Sequence, residues 1–121
     1  MLGILGFNLM SERKKRTLAL ELTTSNQDIY TVPGRFNTDV NSIYINNASG
    51  STVTFSLDWY EAATTTYHTL AETVELPANS LLQITDYPLF LVKDDKIRGL
   101  ASANSAVSIS VSLEEYYETS L

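Results

Sequence analysis

From Val53 to Trp59 the chain reads VTFSLDW, with Val53, Phe55, Leu57 and Trp59 on one parity and Thr54, Ser56 and Asp58 on the other. A hydropathy period of two belongs to an extended strand with one buried and one wet face, since a helix needs apolar residues three and four apart. The same alternation recurs along the sequence. Leu18, Leu20 and Leu22 alternate with Ala19, Glu21 and Thr23; Ile43 and Ile45 alternate with Ser42, Tyr44 and Asn46. Near the end, Val107, Ile109, Val111 and Leu113 alternate with Ser108, Ser110 and Ser112. No segment shows a 3.6-residue period.

Turn signals divide these rows. Ser25–Asp28, Pro33-Gly34, Asn46–Ser51, Ala62–Thr66, Pro77–Ser80, Asp86-Tyr87-Pro88, Lys93–Lys96 and Ala103–Ser105 are rich in residues that preset a turn or bond their own backbone. The strands between them are Thr17–Thr24, Ile29–Val32, the Ile43 row, the Val53 row, Tyr67–Leu76, Leu81–Thr85, Leu89–Val92, Ile97–Ser102 and the last row. Turns about every ten residues predict an all-β antiparallel β-sandwich, jelly-roll or immunoglobulin-like, of eight or nine short strands with an extended N-terminal arm. The Asn46–Ser51 loop is expected to close a hairpin between the Ile43 and Val53 rows. Trp59 is expected at the rim of the core, Gly99 at a bulge, and Gly34 at the left-handed position of its turn. A closed barrel would give the same pattern.

Residues 1–16 form a separate unit by composition, and residues 17–121 form the sandwich. The stretch MLGILGFNLM is apolar, and Arg13, Lys14, Lys15 and Arg16 follow Glu12, giving residues 1–16 a charge of +3 and the remainder −9. Apolar before basic is the reverse of a secretory signal, and ten residues do not span a bilayer. Three readings stand: an arm docking on a neighbouring chain, an amphipathic membrane-surface segment, or a start at Met10. On the first, Leu2, Ile4, Leu5 and Phe7 are the anchors, and Arg13, Lys14, Lys15 and Arg16 meet an acidic partner surface. The acidic body argues against nucleic-acid binding, which requires a basic face.

Chemistry is scarce. The chain has no cysteine, hence no disulfide, thiolate metal site or cysteine nucleophile, and His68 is its single histidine. Glu114 and Glu115 are adjacent on a strand and point to opposite faces, so they cannot act together on one bond. Asp94-Asp95 reads as a solvated turn rather than a calcium loop. No phosphate-binding or nucleophile-elbow motif occurs. The expectation is a non-enzyme with no cofactor and no metal. Trp59 and the seven tyrosines allow a second class, a carbohydrate-binding platform. The hydroxyl-rich outward rows suit a module that packs beside copies of itself.

A further set of residues carries a resemblance. These are Tyr30-Thr31-Val32-Pro33; Ile43-Tyr44-Ile45-Asn46-Asn47 with Ser49-Gly50-Ser51; Val53-Thr54-Phe55 through Trp59; Leu76 to Ser80; Pro88 to Leu91; and Val107, Val111, Ser112 and Glu115. Over about residues 18–117 the chain resembles small all-β structural proteins of tailed bacteriophages. The Lys93–Lys96 turn departs from that pattern, and residues 1–16 lie outside it. The resemblance implies a virion component made in the host cytoplasm: a capsid decoration or cement protein, or alternatively a head–tail junction (neck) or tail component. It implies as partners the chain itself, as a trimer or ring, and the major capsid or another virion protein, with no nucleic acid and no membrane.

Overall fold

The computed structural model describes residues 13–84 and 88–118. Its strands are β1 (Arg13–Glu21), β2 (Gln27–Thr31), β3 (Phe36–Asn47), β4 (Val53–Glu61), β5 (Thr66–Leu76), β6 (Ser80–Ile84), β7 (Leu89–Leu91), β8 (Lys96–Ala101) and β9 (Val107–Tyr117). They form two antiparallel sheets. One has the order β1-β9-β3, and β6 and β7 share the free edge of β3: β6 along Ile43–Asn47, β7 along Thr38–Val40. The other has the order β2-β8-β4-β5. With β6 and β7 counted as one interrupted strand, this interleaving is the eight-stranded jelly roll. An immunoglobulin-like order would instead keep the first two strands side by side in one sheet.

The topology corrects one expectation. The Ile43 and Val53 rows are not a hairpin, because β3 and β4 lie in different sheets and the link between them crosses the sandwich. Alternation fixes which face of a strand is buried but says nothing about its partner. Asn47 makes the crossing possible. Its fully buried amide donates to the carbonyls of Ser51 (2.8 Å), Leu76 (3.1 Å) and Pro77 (3.1 Å), and its Oδ1 accepts from Ser49 N (3.0 Å) and Ser49 Oγ (2.7 Å). One side chain thus supplies the bonds that leaving the ladder removes.

Inward rows meet in the core as the alternation requires. Phe55, Leu57, Ile45, Leu22, Val107, Ile109 and Val111 are fully buried, with Trp59 packed at the margin. Gly99 is not at a bulge. It pairs with Leu57, and a Cβ there would lie 2.6 Å from Leu57 Cδ2 and 2.7 Å from the Ser56 carbonyl oxygen. The irregularity falls across the ladder, between Asp28 and Tyr30 of β2. In the Pro33–Phe36 turn, closed by Phe36 N–H to Pro33 O at 3.1 Å, the left-handed residue is Arg35 (φ 72°), not Gly34.

Candidate functional site

His68 sits opposite Trp59 across the β4–β5 ladder. Their rings stack at 4.7 Å, and His68 Nε2 is 3.0 Å from Glu61 Oε1. The His68 bond draws the Glu61 carboxyl below its ordinary value. Thr64 adds a second, weaker side-chain hydrogen bond to Glu61, and the bond His68 makes is to this carboxylate, whereas a hydrolytic triad needs a hydroxyl on the imidazole. The Trp59 and tyrosine platform is also divided. Trp59 belongs to the inward row, pairing with buried Ile97, whereas Tyr60 and Tyr67 pair on the outer face. There Tyr67 carries the Arg98 guanidinium 3.5 Å from its ring centroid, and Arg98 reaches Asp58 at 3.3 Å.

The carboxylates have structural partners. Asp95 is buried and accepts from Ala62 N (2.9 Å) and Val92 N (3.0 Å), while its carbonyl accepts from Val32 N (2.9 Å), so three loops are tied at one end of the sandwich. No group of three or more His, Asp or Glu side chains is placed to hold a metal among the described residues. Glu115 points inward and Glu114 outward, as strand parity demands. Glu115 is buried, accepts from Tyr30 Oη at 2.6 Å and pairs with Arg16 at 3.2 Å, and Tyr30 Oη lies 2.7 Å from Thr38 Oγ1. Burial, followed by the Glu115 bond, pushes the Tyr30 phenol up to about 12.

The basic cluster lies in the sheet. β1 is an edge strand paired with β9 from Arg13 to Glu21, which sets Lys14 opposite Glu115 and Lys15 opposite Glu114. Arg13 pairs with Glu114 and, at 2.7 Å, with Asp39, and it lies 4.0 Å above the Tyr116 ring. Arg13 and Arg16 are therefore held by acids of their own chain, while Lys14 and Lys15 make no ion pair among the described residues. Leu2, Ile4, Leu5 and Phe7 lie outside the described residues.

Two surfaces remain as candidates. The outer face of the β1-β9-β3 sheet reads across the strands as Glu21–Ser108–Asn46–Leu81, Ala19–Ser110–Tyr44–Gln83 and Thr17–Ser112, a face with a single charge in those rows. Its charged side chains gather at the end where β1 begins. The second surface is the side of the sandwich formed by β5, β6 and β7. Leu70, Leu81, Phe90 and Val92, the exposed large aliphatic and phenylalanine side chains among the described residues, all lie on these strands or directly after β7. Between the sheets on this side opens a cleft of about 180 Å³ lined by Val40, Ile43, Leu57, Leu70, Ile84 and Leu89. Sequence parity does not find this side, because Leu81-Leu82 and Leu89–Val92 are continuous apolar runs with no alternation to show which side chains face out.

No protein-family model matches the chain, and no curated protein matches it by sequence. Solved structures share its fold. A chain from the acid-stable capsid structure of Helicobacter pylori bacteriophage KHP30 superposes with a TM-score of 0.53 at 10% identity, covering 91% of each chain. A subunit of the disulfide-linked pili of Bacillus endospore appendages gives 0.52 at 14% identity, covering 89% of this chain and 88% of that one. A protein of infectious bursal disease virus, Gx strain, gives 0.50 at 8% identity, covering 92% of this chain and 38% of that one. At such identities the likeness is one of fold: a jelly-roll sandwich spanning nearly the whole of this chain.

Proposed function

We propose that this protein is a non-enzymatic structural subunit of a virion, most directly a capsid decoration or cement protein that binds neighbouring subunits through its surface and N-terminal segment. The observation that carries the reading is the distribution of its surface. Leu70, Leu81, Phe90 and Val92 are left exposed on or beside β5, β6 and β7, and the outer sheet face carries hydroxyls and a single charge, Glu21, across its Thr17–Glu21 rows. Natural sheet proteins protect exposed edges with charge, and large apolar side chains left exposed beside an apolar cleft suit a contact surface. Buried Glu115, Asn47 and Asp95 are each hydrogen-bonded near the ends of the sandwich, which suits a rigid scaffold.

The likeness in fold to a chain of a phage capsid structure and to a pilus subunit supports assembly as the common theme. In this reading Leu2, Ile4, Leu5 and Phe7 anchor the N-terminal segment on another chain, and Lys14 and Lys15 add charge at the exit point. Arg13 and Arg16 hold the strand from which the segment leaves. A place at the head–tail junction or in the tail uses the same surfaces with fewer copies.

Quantitative mass spectrometry of purified particles tests the proposal by counting this chain against the major coat protein. Copies comparable to the coat protein support decoration, and a small fixed number supports the neck or tail. Absence from particles overturns both.

A further inference from the structure

We infer that the cleft between β3, β5, β6 and β7 is the docking site for the N-terminal apolar segment of a second copy of this chain, an inference that rests on the self-associating role proposed above. The cleft is apolar, open to solvent, and of a useful size. A dry cavity of about 150 Å³ takes up one benzene ring, so about 180 Å³ accommodates one phenylalanine or leucine side chain with room for part of another. It opens where the edge of the sheet is interrupted. The β6 ladder stops at Ile43 and the β7 ladder at Val40, which leaves Asn41–Ser42 of β3 between the two. An incoming extended segment would meet side chains of both sheets there.

The occupant is argued from what the chain has to offer. Leu5-Gly6-Phe7-Asn8-Leu9 alternates large apolar with small or polar residues, the pattern of an extended segment that inserts one row of side chains. The segment joins the body at Arg13, at the far edge of the sheet from the cleft, with β9 and β3 between. Length does not restrict it, since twelve residues reach up to about 40 Å and three strand spacings are about 14 Å. The path does. To reach its own cleft the segment would cross the charged end of the outer face, past Glu114 and Asp39, with apolar side chains laid over carboxylates. In a side-by-side arrangement, the β1 edge of one copy adjoins the β5–β7 side of the next. The segment then leaves one sandwich and enters the neighbouring cleft directly.

The bodies make the same point. The β1 edge is polar and exposed from Arg13 to Thr17, and its Leu18 and Leu20 are already half-buried against its own core, so the N-terminal segment is the source of large apolar side chains for Leu70 of the neighbour. Such a contact is heterologous and repeats from copy to copy, closing into a ring or continuing as a filament according to the rotation at each step.

The absence of native cysteine makes a direct test clean. Full-length Leu5→Cys and Leu70→Cys chains, one carrying a mass tag, are mixed under mild oxidation. A disulfide heterodimer between residues 5 and 70 is expected. A cross-link formed only within the Leu5→Cys/Leu70→Cys double variant, with no heterodimer in the mixture, assigns the cleft to the chain's own segment and overturns the proposal. Leu70→Arg closes the mouth of the cleft at an exposed position and is expected to raise the concentration for half-maximal assembly at least tenfold. Oligomers that persist with no cross-link and no response to Leu70→Arg overturn the cleft assignment and leave self-association standing. A wild-type chain that stays monomeric at every concentration overturns both.

Discussion

Replacing Asn47 isolates what holds the two sheets in their crossing arrangement. The amide is fully buried and makes five hydrogen bonds, three as donor to carbonyls and two as acceptor from Ser49. Asn47→Ala removes all of them. Each net bond is worth about 1 kcal/mol, and a buried group left unsatisfied costs about 1–3 kcal/mol. The bond to Leu76 is buried, while those to Ser51 and Pro77 are partly so and can recruit water. The expected loss is about 2–4 kcal/mol. Asn47→Asp is the sharper variant, because it replaces the donor amide with an oxygen that faces three carbonyl oxygens.

Once ionised, the introduced carboxyl is repelled and buried, so its folded-state pKa is raised above the unfolded value of about 3.9. A raised carboxyl favours the folded state below the unfolded pKa, and that advantage is lost as pH rises through the folded pKa. Relative to Asn47→Ala at the same pH, Asn47→Asp should therefore be closest near pH 3.5 and worst at pH 7, by a further 1–3 kcal/mol or so. Urea unfolding followed by the fluorescence of Trp59 at one fixed protein concentration measures this, since association would add to apparent stability. With a slope of about 1–3 kcal/mol per molar, a loss of about 3 kcal/mol moves the midpoint by at least about 1 M. Equal stabilities of the two variants at pH 7, or a cost below about 0.5 kcal/mol for either, would refute the reasoning.

Gly99→Ala should cost about 1–3 kcal/mol by overpacking, because the Ser56 carbonyl 2.7 Å from the new Cβ is backbone and cannot turn aside; thermal unfolding measures it. Tyr30 should be among the last tyrosines to ionise in an ultraviolet titration, near 12. A raised phenol stabilises the fold below its unfolded pKa, so that contribution is present up to about pH 10 and fades between 10 and 12. In Tyr30→Phe this part of the alkaline loss should be missing. Arg35→Gly should stabilise the protein by about 0.5–1 kcal/mol, since a side chain in the left-handed region is strained and glycine is not; a lower urea midpoint would contradict it.

The faces of the strands were legible in the residues. Period-two rows named Phe55, Leu57, Ile45, Ile109 and Val111 as core, and the same parity put Glu114 and Glu115 on opposite faces, where they are. That worked because side-chain direction in a strand is a local property, fixed by the pleat and independent of what lies alongside. The candidate site was less legible. The hydroxyl rows were visible, but the apolar cleft arises only when β6 and β7 share one edge of β3 and Leu70 is brought across from the other sheet.

Pairing is the part that residues alone left open. Asn46–Ser51 has the composition of a hairpin loop, and nothing local distinguishes a turn that returns beside its own strand from one that crosses to the opposite sheet. The choice depends on β9 and β8 filling the places beside β3 and β4, strands that lie far along the chain from them. Gly99 is the same case in miniature: a bulge and a close approach both call for glycine, and only Leu57 and Ser56 packed against it decide between them. The sequence by itself determined an all-β chain of two-faced strands with an N-terminal stretch of distinct, apolar composition. Tertiary structure alone decided jelly-roll order and a side cleft, because strand partnership is a competition among distant segments for the same hydrogen-bonding edges.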